Sequence, residues 1–401
     1  MNIIFLAQRV PFPPNKGEKI RTFNQLKYLH DKHQVSICAP LEKDEDLSFF
    51  KTLSDEYCHN VYYSSLPNKP VRLIKGLMTG KALSVANFYS DDLQIKLDHL
   101  LLKLEFDAVI CTSSAMAEYI YKSKSLQELT KKPLLLMDFM DLDSDKWRQY
   151  AETSRWPMKW IYQREAKVLA DYEEKVTHDF DTSFFIADAE VELFQSRVNS
   201  SGKVLTMGNG MDTDSFVPAA SPPNNNTPVM LFTGVMDYKP NIDSVVWFVE
   251  NVWQKILKEY PKARFIIAGM NPTSQVKNLE KISGIEVTGF VDDILPYYHQ
   301  SDYFVAPFRI ARGVQNKILQ GFACGLPVIS TPMGAEGIDC TKDIDILIAS
   351  TADEFLSCIK HLDCDAEFRE KIKANALKLI HERYSWEGKL QVLDDVLNGK
   401  V

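Results

Sequence analysis

Short apolar runs alternate with amphipathic stretches along the chain, and turn residues separate them. The first unit of this pattern is an apolar run at 2–7, a helical pattern at 19–30 and a second apolar run at 34–38. A strand, a helix and a strand at this spacing form a βαβ unit, whose strands are parallel. Further runs typical of buried strands follow at 107–111, 134–137 and 182–187.

A stretch without apolar periodicity, 219–228, interrupts the pattern and has the composition of a linker. The pattern then restarts, with strands expected at 229–233, 264–268, 284–288, 303–307 and 327–330, and helices at 241–260, 294–299, 314–324 and 386–397. The chain thus predicts an α/β fold of two Rossmann-like doubly wound parallel-sheet domains, 1–207 and 208–385, with 386–401 packing back on the first. Open parallel sheets bind ligands at the carboxyl ends of their strands, so we expect the site in a cleft between the two domains.

Composition narrows the functional classes. Of the 401 residues, 45% are hydrophobic and 25% charged, as in an average globular protein. The net charge of -8 argues against a general nucleic-acid binder. No run approaches the ~20 apolar residues of a membrane-spanning helix, and the first apolar run is too short for a signal-peptide core. The seven cysteines show no Cys-x-x-Cys spacing, so neither a zinc site nor a disulfide framework is indicated, and we expect a cytoplasmic location.

Several turn-rich segments resemble motifs of a known family. They are Gly208-Asn-Gly-Met-Asp-Thr-Asp-Ser-Phe216, Gly289-Phe-Val291 with Asp293, and Gly313 and Lys317 with Gly321-Phe-Ala-Cys-Gly-Leu-Pro-Val328. In this order they resemble the family 4-like glycosyltransferases of the GT-B fold. The segments 138–147, 232–241 and 309–317 resemble a narrower subgroup associated with bacterial exopolysaccharide clusters, including those linked to the exosortase sorting system.

The resemblance covers nearly the whole chain and implies an activity. It implies transfer of a sugar, with retention, from a nucleotide-diphosphate donor to a glycan or lipid-linked acceptor. In this fold the first domain binds the acceptor and the second domain binds the donor. No cofactor is expected besides the sugar nucleotide as co-substrate.

A pyrophosphate needs backbone N–H groups and cations, which a helix N-terminus and a nearby lysine supply. Gly313 directly precedes a predicted helix, and Lys317 stands one turn along it, so we expect both to bind the donor phosphates; an exposed helix lysine is the alternative for Lys317. Gly234 opens a turn after a strand in the same way. The resemblance adds phosphate contacts from Lys239 and Gly17, the latter with a plain turn glycine as its alternative.

The base-binding and sugar-binding positions are also implied by the resemblance. The nucleotide base lies against the backbone of Phe290 and Val291, although a core role for Phe290 is open. Family 4 enzymes carry a Glu-x7-Glu pair that contacts the donor sugar and the ribose, and here these positions are Arg312 and Gln320. Gln320 still accepts a hydrogen bond from a ribose hydroxyl, but without a full charge. Arg312 only donates, so it contacts either the carboxylate of a uronic-acid donor or the diphosphate.

Acidic residues of the first domain are candidates for acceptor chemistry. We expect Asp138 and Asp141 to face the cleft at the carboxyl end of a strand, where a carboxylate orients the acceptor hydroxyl or takes its proton. Asp141-Leu-Asp143 also has the metal-binding pattern of another glycosyltransferase fold. Because it lies away from the phosphate-binding glycines, we expect no metal.

Two segments alternate basic and apolar residues, 69–81 and 155–164. This pattern suits peripheral contact with the cytoplasmic face of the inner membrane, and helices with a solvated basic face are the alternative. Two other functions fit the same architecture. One is a sugar-nucleotide epimerase, and the other is a catalytically silent subunit that binds a sugar nucleotide.

Overall fold

The chain folds into two compact units, each built on a parallel sheet with helices. The computed structural model describes residues 1–15, 17–198, 202–213, 215–221, 225, 227–310 and 314–401. The first unit comprises Met1–Gly210 with Lys389–Val401, and the second unit comprises Met211–Gly388. The expected boundaries, after 207 and after 385, lie a few residues before these.

The first unit contains a seven-stranded parallel sheet. Its strands are β1 (Asn2–Leu6), β2 (Gln34–Leu41), β3 (Asn60–Ser65), β4 (Ala108–Thr112), β5 (Leu134–Met140), β6 (Thr182–Phe185) and β7 (Val204–Thr206). They lie in the order β3-β2-β1-β4-β5-β6-β7, so the direction of strand addition reverses between β1 and β4. Ile3 pairs with Val35 on one side and with Ala108 on the other. The side chains of β1 from Ile3 to Leu6 are buried because helices cover both faces of a parallel sheet.

In the described residues of this unit, ten helices connect consecutive strands of the sheet. They are α1 (Gly17–His30), α2 (Leu47–Glu56), α3 (Lys69–Met78), α4 (Leu83–Asn87), α5 (Asp91–Lys103), α6 (Ala117–Lys122), α7 (Lys124–Glu128), α8 (Asp143–Thr153), α9 (Met158–Asp179) and α10 (Asp188–Arg197). Single 3₁₀ turns lie at Asp44–Asp46 and Ser114–Met116.

The second unit contains a six-stranded parallel sheet. Its strands are β8 (Val229–Thr233), β9 (Arg264–Ala268), β10 (Ile285–Gly289), β11 (Tyr303–Ala306), β12 (Val328–Ser330) and β13 (Leu347–Ile348). They lie in the order β10-β9-β8-β11-β12-β13, so the reversal falls between β8 and β11. The large core of this unit includes Phe232, Trp253 and Phe304, all without solvent exposure.

The second unit has helices at the three predicted positions, with two differences in detail, and four further helices that were not predicted. They are α11 (Lys239–Phe248), α12 (Gln254–Glu259), α13 (Ser274–Leu279), α14 (Leu295–His299), α15 (Asn316–Ala323), α16 (Pro332–Ala335), α17 (Ala352–Cys364) and α18 (Ala366–Leu379). The four that were not predicted are α13 and α16 to α18. The helix expected at 241–260 is α11 and α12 joined by a π-helical turn, Val249–Trp253. The helix expected from 314 begins at Asn316, with Gln315 at its N-cap.

The last helix, α19 (Trp386–Leu397), follows a second π-helical turn at Ile380–Tyr384. Its C-terminal part belongs to the first unit. Asp394 accepts hydrogen bonds there from the Tyr28 hydroxyl at 2.9 Å and the Lys32 ammonium at 2.6 Å. Within the described residues, no helix combines the length and apolarity needed to cross a membrane.

One buried acid of α9 affects the stability of the first unit. Glu173 is 1% exposed and accepts a hydrogen bond from the Ser144 amide at 3.2 Å, whereas its Oε2 has no partner among the described residues. Burial raises the pKa of this carboxyl to about 8. The folded protein therefore holds a proton on Glu173 at neutral pH.

We expect Glu173→Gln to reduce the pH dependence of stability. Between pH 4.5, the ordinary pKa, and pH 8, the folded chain keeps a proton that the unfolded chain has released, so folding loses up to about 1.4 kcal/mol for each pH unit gained. The variant lacks this loss and should gain stability relative to the natural protein as pH rises through this window. Urea unfolding at pH 4.5 to 8.5 measures it, with exposed Glu174→Gln as the control. Equal pH dependence in all three proteins would contradict the assignment.

Candidate functional site

The reversal between β8 and β11 creates a crevice at the carboxyl edge of the second sheet. Gly234 follows β8, and Phe308 with Arg309 follows β11. Neighbouring strands whose connections leave in opposite directions separate at this edge, which is where open α/β sheets bind ligands. The residues that α11 and α15 bring to this edge therefore define the candidate site.

Lys317, in the first turn of α15, occupies an aromatic environment at this edge. Its Nζ donates to Asn241 Oδ1 at 2.6 Å and lies 5.1 Å and 4.9 Å from the ring centres of Phe232 and Phe308. Burial lowers the pKa of its ammonium to about 8, and it is the only cause of that shift. No described carboxylate therefore compensates this charge. Its environment is not that of an exposed helix lysine, and it favours an anionic ligand.

Gly234 makes room for this lysine. A Cβ atom at Gly234 would lie 2.6 Å from Asn241 Nδ2 and 3.1 Å from Lys317 Nζ, so any side chain here would displace both. The Gly234 amide already donates to Ala268 O at 3.0 Å. Its contribution to the site is therefore the absence of a side chain rather than a free N–H donor. Asn241 is held in turn because its Nδ2 donates to Val235 O at 2.9 Å.

Gln320 is oriented by a buried hydroxyl chain. Its Oε1 accepts from the Tyr298 hydroxyl at 3.1 Å, and that hydroxyl also bonds to Thr233 Oγ1 at 2.9 Å. Tyr298 has no solvent exposure, so it fixes the amide plane of Gln320 next to the end of β8. With one lone pair of Oε1 used in this way, the amide N–H groups of Gln320 are available to a ligand.

The other predicted donor residues of the second unit occupy separate positions. Phe290 is 67% exposed in the turn after β10, so the alternative of a core role is wrong. Val291 follows it and is half-buried. Lys239 is exposed at the first position of α11, two residues before Asn241. Arg312 and Gly313 lie outside the described residues, and their roles stay predictions.

Sequence reasoning missed two polar partners in this unit. Asn241 ends the segment 232–241 and holds Lys317, although its amide suggested no role on its own. Arg309 donates from Nε and Nη2 to the two oxygens of Asp243 at 3.0 Å and 2.5 Å. This bidentate pair joins the segment after β11 to α11. The only signal for Asn241 and Arg309 in the sequence was that they lie in the segments 232–241 and 309–317, which resemble the subgroup.

The first sheet reverses between β1 and β4, and polar residues line that edge too. Gln8 donates from its side-chain Nε2 to Ser113 Oγ at 3.0 Å, and from its backbone N–H to Thr112 Oγ1 at 3.2 Å. Ser113 has a φ of 72°, a left-handed conformation that is strained for a residue with a side chain. Gly17 begins α1, is exposed, and has open space where a Cβ would stand. Its phosphate contact stays a prediction.

The expectation that Asp138 faces a cleft is wrong. Asp138 is fully buried at the end of β5, and Arg21 on α1 is 1% exposed. Arg21 Nε donates to Asp138 Oδ2 at 2.8 Å and Nη2 to Oδ1 at 2.9 Å. Gln25 Nε2 and the Met140 amide donate to the same carboxylate at 2.5 Å and 3.1 Å. With both oxygens occupied and no solvent access, this carboxylate is placed for packing rather than for proton transfer.

Asp141 and Asp143 share one cation. Lys146 Nζ lies 2.7 Å from Asp141 Oδ2 and 3.1 Å from Asp143 Oδ1. An ammonium therefore stands where an ion bridging the two carboxylates would have to bind. Asp141 is half-exposed at the carboxyl edge of the sheet, and its role towards an acceptor stays a prediction.

We expect Asp138→Ala to destabilise the first unit by about 3–5 kcal/mol, because it leaves the Arg21 guanidinium buried without its carboxylate. Asp141→Ala, the matched control at a half-exposed position, should change stability by no more than about 0.5 kcal/mol. Urea unfolding measures both. The double variant Arg21→Met with Asp138→Leu should lose less stability than the sum of the losses in Arg21→Met alone and in Asp138→Leu alone. If Asp138→Ala were as stable as the natural protein, the Arg21–Asp138 pair would not contribute to the stability of the first unit.

The comparisons with solved structures concern the fold. HepE of Anabaena, in its complex with UDP, matches this chain with a TM-score of 0.57 at 14% identity, covering 100% of both chains. A glycosyltransferase from Rickettsia africae matches with a TM-score of 0.56 at 16% identity, covering 100% of this chain and 98% of that one. The predicted GT-B fold, with its two Rossmann-like parallel-sheet domains, is confirmed.

Two comparisons of the sequence add to this. Residues 227–365, all within the second unit, match the family described as glycosyl transferases group 1. Over 400 residues the chain is 24% identical to a protein of Klebsiella pneumoniae described as an uncharacterized 44.6 kDa protein in the cps region. That match covers 95% of this chain and 96% of the Klebsiella protein. The resemblance to glycosyltransferases stated above is therefore confirmed.

Proposed function

We propose that this protein transfers a sugar from a nucleotide-diphosphate donor to a glycan or lipid-linked acceptor in the synthesis of a bacterial surface polysaccharide, with retention at the anomeric carbon. The observation that carries this proposal is the cation of Lys317, held in an aromatic crevice at the reversal of the second sheet. No described carboxylate compensates this cation. An anion of the donor is the partner that such a lysine lacks.

The chemistry of the transfer step explains why a lysine of this kind is useful. Breaking the bond between the sugar and the diphosphate places an additional negative charge on the leaving group. A cation fixed in a poorly solvated crevice stabilises that charge more strongly than one in water, and it needs no reorganisation during the reaction. Asn241 fixes the position of the Lys317 ammonium, and Gly234 keeps the approach open.

The remaining donor contacts are assigned on the same proposal. Gln320 binds the ribose hydroxyls, with its amide plane fixed by Tyr298. The backbone at Phe290 and Val291 receives the base, and the exposure of Phe290 leaves that turn accessible. Lys239, Gly313 and Gly17 add phosphate contacts. Arg312 reads either the diphosphate or a carboxylate on the donor sugar.

The comparisons suggest which donor to test first. Structures of HepE hold UDP and UDP-glucose, so uridine nucleotides are the first candidates. The Klebsiella relative is described by its cps region, which supports a polysaccharide product. A lipid-linked acceptor would bring the protein to the cytoplasmic face of the inner membrane as a peripheral protein.

We expect UDP binding to take up a proton through Lys317. Free Lys317 is partly deprotonated near pH 8, and a bound diphosphate raises the pKa of its ammonium, so binding at pH 8 to 9 should consume protons. Calorimetry in buffers of different ionisation enthalpy measures this uptake. Lys317→Met should abolish it and weaken binding by about 1.5–3 kcal/mol, while Lys258→Met, at an exposed position, should change neither. If Lys317→Met bound UDP with the affinity of the natural protein, Lys317 would not be part of the donor site.

We expect transfer activity to survive excess EDTA, because Lys317 and the start of α15 neutralise the leaving diphosphate. Nucleotide release from UDP-, GDP- and dTDP-sugars, with and without a lipid-linked acceptor, gives the activity and its donor. Loss on chelation with recovery on Mn²⁺ addition would instead favour the Asp141 and Asp143 pair. Isomerised donor formed without acceptor would indicate an epimerase, and binding without turnover a silent subunit.

A further inference from the structure

Three helices of the first unit, α8, α9 and α10, border a cavity of about 770 Å³. Its lining residues on α9 recur every three or four positions, so they form one face of that helix. They are Lys159, Gln163, Ala166, Ala170 and Glu173. By the rise of an α-helix, Glu173 lies about 21 Å along the axis from Lys159. The cavity is therefore elongated, and none of the described residues assigned above to the donor or to acceptor chemistry lines it.

The walls of this cavity are largely apolar. Leu142, Phe194 and Val198 line it together with the alanines of α8 and α9. Short alanine side chains leave space that longer side chains would fill in a close-packed interior. A cavity of this size, with apolar walls and few polar groups, is typical of a binding site for a small molecule.

One buried carboxyl group of the lining has an oxygen without a partner. Glu173 Oε1 accepts from the backbone N–H of Ser144 at 3.2 Å, in the first turn of α8. This bond has a structural role, because it satisfies a free N–H group at the start of a helix. Glu173 Oε2 is also buried, and it has no hydrogen-bond partner among the described residues. The structural role of the first oxygen therefore does not account for the second.

The charge state of Glu173 decides what this oxygen binds. Within the described residues, no cation forms an ion pair with Glu173. Burial, and to a smaller degree the charge of Asp143, raise the pKa of the carboxyl group to about 8, against the opposing effect of hydrogen bonds from Ser144 and Asp143. The group is therefore protonated at neutral pH. Because Oε1 accepts from Ser144, the proton belongs on Oε2, which is then a hydrogen-bond donor.

The other charged groups of the lining disfavour a cationic ligand. Arg148 and Arg197 are paired with carboxylates, one of which is Glu152. Lys159 and Lys167 have no ion-pair partner among the described residues, so the charges left over in the lining are positive. An ammonium ligand would meet these lysines, and it would find a neutral carboxyl group instead of a carboxylate.

We infer that this cavity binds an apolar molecule through a neutral carbonyl group, as in an ester or a ketone, which accepts the hydrogen bond of Glu173 Oε2. A carbonyl oxygen fits this position because it accepts without donating. A hydroxyl group would bring a donor of its own into the apolar lining, where a donor without a partner is unfavourable. The inference goes beyond the proposed function, since it assigns a second ligand to the first unit.

Two small probes with the same number of carbon atoms test this inference. Methyl hexyl ketone supplies a neutral carbonyl acceptor, whereas octylamine supplies an ammonium donor. NMR titration of each probe with the full chain gives its affinity.

Four variants separate the hydrogen bond from the cavity. Glu173→Met removes the donor, and Glu173→Gln keeps one, because its amide donates from Nε2 while Oε1 still accepts from Ser144. Ala170→Leu fills the cavity. Ala189→Leu is the matched control, since Ala189 is exposed on α10 and lies outside the lining. Cooperative urea unfolding shows that each variant is folded.

We expect the ketone to bind more tightly than octylamine at pH 7. Glu173→Met and Ala170→Leu should each weaken ketone binding about tenfold, whereas Glu173→Gln and Ala189→Leu should keep the affinity of the natural protein. In the natural protein, ketone affinity should fall about fivefold from pH 8 to pH 9, because Glu173 loses the donor proton above its pKa of about 8. Glu173→Gln should remove this pH dependence.

Two results would overturn the inference. Tighter binding of octylamine than of the ketone would assign the cavity to an amine. Unchanged ketone affinity in folded Glu173→Met or in folded Ala170→Leu would show that the ketone binds elsewhere or without this hydrogen bond. The donor proposal is tested by UDP binding at Lys317, which none of these variants alters, so either proposal can fail without the other.

Discussion

The buried guanidinium of Arg21 is the constraint on which the architecture of the first unit depends. It donates to both oxygens of Asp138, to Met207 O at 2.7 Å and to Asn209 Oδ1 at 2.9 Å. A charge taken out of water must be compensated in full, so all four acceptors are fixed relative to one another. The pair thereby joins α1 to the end of β5 and to the chain that leaves β7. That segment, which resembles a family motif, is ordered by a charge located far away in sequence.

The same physical rule, applied in the opposite sense, identifies the candidate anion site of the second unit. Arg21 is buried and fully compensated, and its surroundings hold no room for a ligand charge. Lys317 lies in an aromatic crevice without a described carboxylate that compensates its charge. Burial without compensation is unfavourable for a cation unless a ligand completes the site. The distinction between a structural and a functional cation therefore depends on its partners and not on its burial.

The sheets were largely predictable because a parallel strand covered on both faces is a continuous apolar run. For that reason β1, β4 and β8 stand close to the expected positions. The edge strand β3, Asn60–Ser65, has a mixed and half-buried composition that gives no such run. The strands β7 and β13 are three and two residues long, too short to produce a pattern. The three strands that the sequence did not predict all lie at an edge of their sheet. Two of them are also too short to show a pattern.

The amino-acid sequence by itself determined the fold class, the two-sheet organisation and the selection of Lys317 and Gly234, because local periodicity and turn chemistry are written in neighbouring residues. Only the tertiary structure decided that Asp138 is a structural partner of Arg21, since these residues are 117 positions apart and no local pattern connects them. It likewise decided that Asn241 holds Lys317. Whether a charged side chain is compensated depends on which groups, distant in sequence, the packing brings next to it. The spacing of residues along the chain does not show which groups these are.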